Sequence, residues 1–266
     1  MARLGAPLAL LLGCLGLTAA APAAEPVRLL AAGSLRAAFT ELLGRSGLPV
    51  EADYGASGLL RQGIEAGRAA DLFASADLGH PRALGQARGR PYVVFARNRL
   101  CALAAPGVAA TPKTLLDRML DPAVRLGTST PRADPSGDYA WAAFARAEAL
   151  RPGARAALEA KALRLVGAPD SPAPPPGERR STYGWLIGSG AADLVLTYCT
   201  NAAVAAAEVP GAGVVALPAP LAVGAEYGMI LLEERPEAAR LALFILSPEG
   251  QAVLARHGFE APLAPR

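Results

Sequence analysis

Three serines, Ser34, Ser57 and Ser136, each stand where a turn gives way to a helical pattern, and Tyr198 closes a short apolar strand-like run. A serine at a helix entrance does one of two things. It caps its own helix by accepting an N–H of the first turn, or its hydroxyl joins the free N–H groups there in receiving an anion. Capping explains each serine taken singly. Their recurrence favours the anion, because strands alternating with helices build parallel sheet whose ligands sit at the carboxyl ends of the strands. Tyr198 arrives on the same kind of edge and would add a phenolic donor, although most tyrosines at such places simply pack.

Other chemistries fare worse. Ser57 as a hydrolytic nucleophile would lie in Gly55-Ala56-Ser57-Gly58, which lacks the second spaced glycine of a nucleophile elbow, and neither histidine follows in a triad context. The two histidines, His80 and His257, lie far apart without ligand spacing. No metal cation is expected, and both histidines read as surface or packing residues. No cofactor and no enzymatic activity are expected.

The elements that must position these residues follow in order. Residues 29–32 form an apolar run ending at Gly33, with Ser34 in the N-cap place of a helix carrying Leu35, Ala38, Phe39 and Leu42. Residues 50–54 alternate as a strand does, and Ser57 opens the helical LLRQGIEAG. A third strand is ADLFAS, 70–75. Residues 92–96 and 100–105 read as two further strands divided by Arg97-Asn98-Arg99, the passage from a first lobe into a second. A short helix over 114–120 and a strand over 124–128 follow. The turn-rich STPRADPSGDYA places Ser136 at the cap of the next helix. Residues 168–177, rich in proline, read as a solvated loop. Ser181 caps TYGWLIGSG, and a strand over 194–197 delivers Tyr198. After a strand-like run from Val214, residues 227–232 return the chain to the first lobe, and two helices close it.

Composition bounds the class. The chain has 266 residues, 52% of them hydrophobic, and a net charge of +3, enough for two cores. The basic residues are scattered arginines, with Lys113 and Lys161 the only lysines; nucleic acid is not an expected partner. Residues 1–24 read as a signal peptide, with Arg3, an apolar core over 4–17 and the small-residue site Ala21-Pro22-Ala23. A lipoprotein box at Leu12-Gly13-Cys14 is the weaker alternative. The mature protein is expected in the periplasm, as a monomer. Its two remaining cysteines, Cys101 and Cys199, either pair as a disulfide in that oxidising compartment or pack as small hydrophobes.

Taken together, AAGSLRAAF, YGASG, ADLFASAD, VVFARNRL, DPSGDYA, SGAADLVLTY and LSPEGQAVLARHGF resemble, in order and spacing, the exported molybdate-binding proteins of ABC transporters. That family lies within the two-lobed, type II periplasmic binding-protein superfamily. The resemblance implies an α/β fold of two lobes, each a mainly parallel sheet flanked by helices. Residues 25–97 and 219–266 would form lobe 1 and residues 98–218 lobe 2, with hinges near 97–99 and 218–224. It also implies a molybdate or tungstate oxyanion held between the lobes by hydroxyls and backbone N–H groups, for delivery to an ABC permease. By position Ser34 and Ser57 match the family's first-lobe serines and Tyr198 its ligand-binding tyrosine. Ser136 falls on a backbone donor in the family's proline-alanine-glycine turn. A further backbone donor, often a valine, falls on Arg180 or Ser181. Arg180 departs from the pattern and directs attention to other anions, sulfate, phosphate or a small organic carboxylate.

Overall fold

The computed structural model describes residues 25–262. The signal-peptide and lipid-box readings lie outside the described residues. The strands are β1 (Val27–Ala32), β2 (Val50–Gly55), β3 (Leu72–Ser75), β4 (Tyr92–Ala104), β5 (Leu126–Ser129), β6 (Leu163–Val166), β7 (Leu194–Tyr198), β8 (Gly213–Ala216) and β9 (Gly224–Leu231). The helices are α1 (Arg36–Ser46), α2 (Ser57–Glu65), α3 (Gly79–Arg88), α4 (Leu115–Leu120), α5 (Pro135–Leu150), α6 (Ala154–Lys161), α7 (Thr182–Gly188), α8 (Cys199–Glu208), α9 (Pro236–Leu246) and α10 (Pro248–Arg256). A 3-10 turn, Gly33–Leu35, precedes α1.

Two sheets result. β1, β2 and β3 run parallel, as do β5, β6 and β7. β9 lies antiparallel to β3, and the first part of β4 lies antiparallel to β9 on its other side and so runs in the direction of the first set. The last part of β4 lies antiparallel to β7 and β8 in the second sheet. Thus the two stretches read as separate strands form one strand that serves both sheets. The polar Arg97-Asn98-Arg99 does not break it, because Arg97 reaches Glu226 on β9 at 3.0 Å and Arg99 reaches Glu260 at 2.8 Å, while Asn98 is buried.

Side chains alternate across each sheet because a strand has a period of two. Leu29 and Ala31 join the core beneath α1, α9 and α10, while Leu30 joins Phe73 and Ile230 on the other face. In the second sheet Leu100, Ala102, Leu194 and Leu196 pack with α5, whereas Cys101, Leu103 and Val195 pack with α7 and α8. Each sheet is therefore covered on both faces, and β1, β3 and β7 read as near-continuous apolar runs for that reason, whereas the edge strand β2 alternates. Burying a leucine or phenylalanine this fully contributes about 1.5–3 kcal/mol. Cys101 of β4 and Cys199 of α8 form a disulfide with Cα atoms 4.8 Å apart, so β4 is tied to the start of the helix that follows Tyr198.

The cap positions differ from the sequence expectation. Ser34 lies inside the 3-10 turn, whose N-cap is Ala32, and Ser57 is the first residue of α2, whose N-cap is Ala56. Neither helix end has a side-chain cap. On α5 the cap is Asp134, followed by Pro135, and its side chain accepts the Ser136 N–H. Ser181 does cap α7, accepting from the Gly184 N–H.

Candidate functional site

A cleft of about 760 Å³ opens between the two sheets. From the first it is lined by the Gly33–Ser34 turn, Arg36, Tyr54, Ser57 and Ala76, and from the second by Asp134, Tyr198, Thr200 and residues 178–183. Ser34, Ser57, Arg180, Ser181 and Tyr198 thus meet in one cavity. Ser136 does not. It is wholly buried, its hydroxyl donates to Ser129 Oγ at 2.6 Å and its N–H to Asp134 Oδ1 at 3.0 Å. The expected backbone donor of α5 is consumed by the chain's own carboxyl.

Ala76 joins two of the serine and tyrosine groups across the cleft. Its N–H donates to Ser57 Oγ at 3.1 Å, and its carbonyl accepts from the Tyr198 hydroxyl at 3.0 Å. Tyr198 comes from the second sheet and Ala76 follows the end of β3 in the first. Burial pushes the Tyr198 hydroxyl well up from its ordinary range, so it stays a protonated donor.

Ser34 is anchored by Tyr227, a residue that sequence reasoning did not single out. The two hydroxyls lie 2.9 Å apart. Asn98 at the sheet crossing donates one amide proton to Tyr227 Oη at 3.3 Å and the other to Thr200 Oγ1 at 2.9 Å. With the Tyr227 oxygen occupied as acceptor, its proton goes to Ser34 Oγ. Burial pushes the Tyr227 hydroxyl well up, which keeps that proton in place. Tyr227 also packs edge-to-face on Tyr198 and Phe259, each with ring centroids 5.3 Å away.

The outcome is a set of three hydroxyls, Ser34, Ser57 and Thr200, whose oxygens each accept from a fixed donor behind them. Each keeps its own proton to donate. Two uncapped helix ends, at Gly33–Leu35 and at α2, turn their dipoles and first-turn N–H groups toward the same cleft, although the Gly58 N–H of α2 is spent on the Ala133 carbonyl; α8, with Tyr198 at its cap position, is a third.

The remaining wall is built differently. Arg180 sends Nη2 to Glu178 Oε2 at 2.6 Å and Nε to Oε1 at 3.0 Å, and its backbone N–H also goes to Oε1, at 3.0 Å. That pairing with Arg180 pulls the Glu178 carboxyl down to about 2. Ser181 donates both its N–H and its hydroxyl to Glu208 Oε2, at 2.8 and 2.6 Å. Ser181 is thus spent on Glu208, and Arg180 is tethered to Glu178 through Nε and Nη2 and its backbone N–H. Glu208 lies 27 residues from Ser181, and no local spacing announced the contact. His257 lines the cleft but is held by Glu41, its Nε2 lying 2.9 Å from Oε2. His80 is largely buried beside Asp77. Among the described residues no cluster of histidine, cysteine and carboxylate side chains could hold a metal ion, and no helix is long and apolar enough to cross a membrane.

Two lobes of α/β structure joined by long strands, with a polar cleft between them, define a periplasmic-binding-protein-like fold. Over residues 27–260 the chain matches the model of the bacterial extracellular solute-binding protein family, and it belongs to that family. It is therefore an extracytoplasmic solute-binding protein of the kind that serves ABC-type transporters. An uncharacterized protein of Pasteurella multocida is 44% identical over 183 residues, 66% of this chain and 74% of that one. Among solved structures, the periplasmic molybdate-binding protein of Azotobacter vinelandii superposes with a TM-score of 0.68 at 20% identity, covering 90% of this chain and 100% of that one. The sulfate-binding protein SubI of Mycobacterium tuberculosis superposes with a TM-score of 0.69 at 16% identity, covering 90% and 87%. These two likenesses show the fold.

Proposed function

We propose that this protein captures a tetrahedral oxyanion, molybdate or tungstate, outside the cytoplasm and delivers it to an ABC permease. The observation that carries this reading is the set of three hydroxyls held as donors around the cleft, with the uncapped helix ends beside them. A dianion loses most of its hydration on entering such a site, and the loss is offset only when each oxygen meets a donor. Neutral donors and helix dipoles supply this without fixed charge. The molybdate-binding neighbour and the sequence resemblance support the choice of anion. The lobes, 25–97 with 219–266 and 98–218, would close by bending of β4 and β9 where Arg97, Asn98 and Arg99 pair with Glu226, Ala225 and Gly224.

A second reading keeps the site and changes the anion. The cleft is of a size that holds organic ligands, and Arg36 and Arg179 line it, which suits sulfate, phosphate or a small carboxylate. Titration with molybdate, tungstate, sulfate, phosphate and a simple carboxylate separates the two readings. Ser34→Ala and Ser57→Ala are each expected to weaken the preferred anion roughly tenfold, the value of one hydrogen bond to a charged group. Arg180→Ala, by contrast, is expected to change little if its guanidinium stays with Glu178. A sharp loss on Arg180→Ala with no effect at the serines would contradict the hydroxyl site.

A further inference from the structure

The Asp134 carboxyl is out of place in a cleft read as anionic in its preference. It lines the wall opposite Ser34 and Ser57 and occupies the N-cap of α5, where its Oδ1 takes the Ser136 N–H. The resemblance places a backbone donor at this corner; the chain instead presents an acid. A side chain at Gly167 would run into its Cβ at 2.5 Å, so the group is closely packed on that side, while the hydroxyls of Ser136 and Ser129 are spent on each other and on Tyr183. No cation relieves it, because among the described residues no ion pair includes Asp134. The groups coupled to it are Asp138 on α5, Tyr183 on α7, Tyr198 at the end of β7 and Tyr227 on β9, three neutral phenols and one further acid, while Arg36 and Arg179 line the same cleft without pairing with it. Of the nearby charges on the 178–180 segment, Arg180 is committed to Glu178.

We propose that Asp134 sets the charge the cleft accepts: a proton-free dianion is captured together with one proton from solvent, which Asp134 holds and donates to an oxygen of the anion. The inference rests on the anion reading above. An ionised Asp134 repels the ligand, whereas the protonated acid still accepts the Ser136 N–H through its carbonyl oxygen and gains an O–H donor for the ligand. Burial already pushes this carboxyl up to about 6 in the unliganded chain, so the proton is within reach near neutrality. The mass balance is one carboxylate, one proton and one dianion giving a neutral acid hydrogen-bonded to the dianion.

Proton linkage tests it. Calorimetric titration of the mature protein with molybdate, and with sulfate as a second proton-free dianion, is run at about pH 7.5 in two buffers of different ionisation enthalpy. Uptake of close to one proton per anion is expected, with affinity falling roughly tenfold for each pH unit above about 6. Asp134→Asn keeps a capping side chain, and is expected to abolish the uptake and flatten the pH profile. Binding with no proton taken up, or uptake unchanged in Asp134→Asn, overturns the proposal. Should the variant fail to fold, the two-buffer comparison on the native chain decides alone. Failure of every dianion to bind at any pH removes the anion reading and this inference together, a result distinct from binding without a proton.

Discussion

Gly58→Ala is expected to lower anion affinity by at least about a hundredfold while leaving the chain folded. Gly58 lies in the first turn of α2 beside Ser57, and its N–H donates to the Ala133 carbonyl just ahead of α5 at 2.9 Å. A Cβ at this position would lie 2.7 Å from that same oxygen and closer still to the Arg132 carbonyl. Both obstacles are backbone, and they are not free to move. Arg132 is in the left-handed region at φ 69°, with its N–H tied to Asp138 Oδ1 at 3.0 Å, so the turn carrying the two carbonyls is already strained. The lobes must part to admit the methyl group, and a hundredfold loss corresponds to about 2.8 kcal/mol. Helix propensity alone would predict the opposite, a gain of about 1 kcal/mol from replacing glycine by alanine. Anion titration and a thermal melt of the variant check this, and native affinity in Gly58→Ala would show that the lobes do not meet here when loaded.

The second large effect belongs to the disulfide. Replacing both Cys101 and Cys199 by serine is expected to cost between about 2 and 5 kcal/mol, since chain entropy alone gives about 4.7 for a loop near 100 residues and the two cysteines are 98 apart. For a chain of this size that lowers the melting temperature by roughly 10 °C. The bond spans most of the second lobe in sequence and fixes the first residue of α8 to β4. Tyr198 and Thr200 flank that residue, so the loss should also appear in anion affinity. Melts with and without reductant, beside the double variant, measure it. A melting temperature indifferent to both would mean that the bond constrains nothing the fold needs.

Much of this architecture was legible from periodicity. An apolar run marked β1 and an alternating one β2, each followed by a serine and a 3.6-residue pattern for α1 and α2, and the run before Tyr198 marked β7. What escaped had physical reasons. β4 looked interrupted because its three polar residues find partners on β9, at Thr200 of α8 and near the carboxyl terminus, far away in sequence. In DPSG, aspartate and serine are both good caps; only the fold shows that Asp134 takes the role and that Ser136 turns inward. Tyr227 and Asn98 organise Ser34 and Thr200 from 193 and 102 residues away, and such pairings leave no local trace. Glu208, seated on the Ser181 donors, is of the same kind.

We infer that the cleft holds a tetrahedral oxyanion. The most direct test is a thermal melt of the ligand-free chain from residue 25 onward, with molybdate, tungstate, sulfate, phosphate and a simple carboxylate added separately. At about a hundredfold excess over the dissociation constant, binding to the folded state adds roughly 2.7 kcal/mol, a rise of several degrees. Such a rise with molybdate and tungstate, and none with the carboxylate, is the result expected. A rise with the carboxylate alone, or none with any tetrahedral oxyanion, would contradict it.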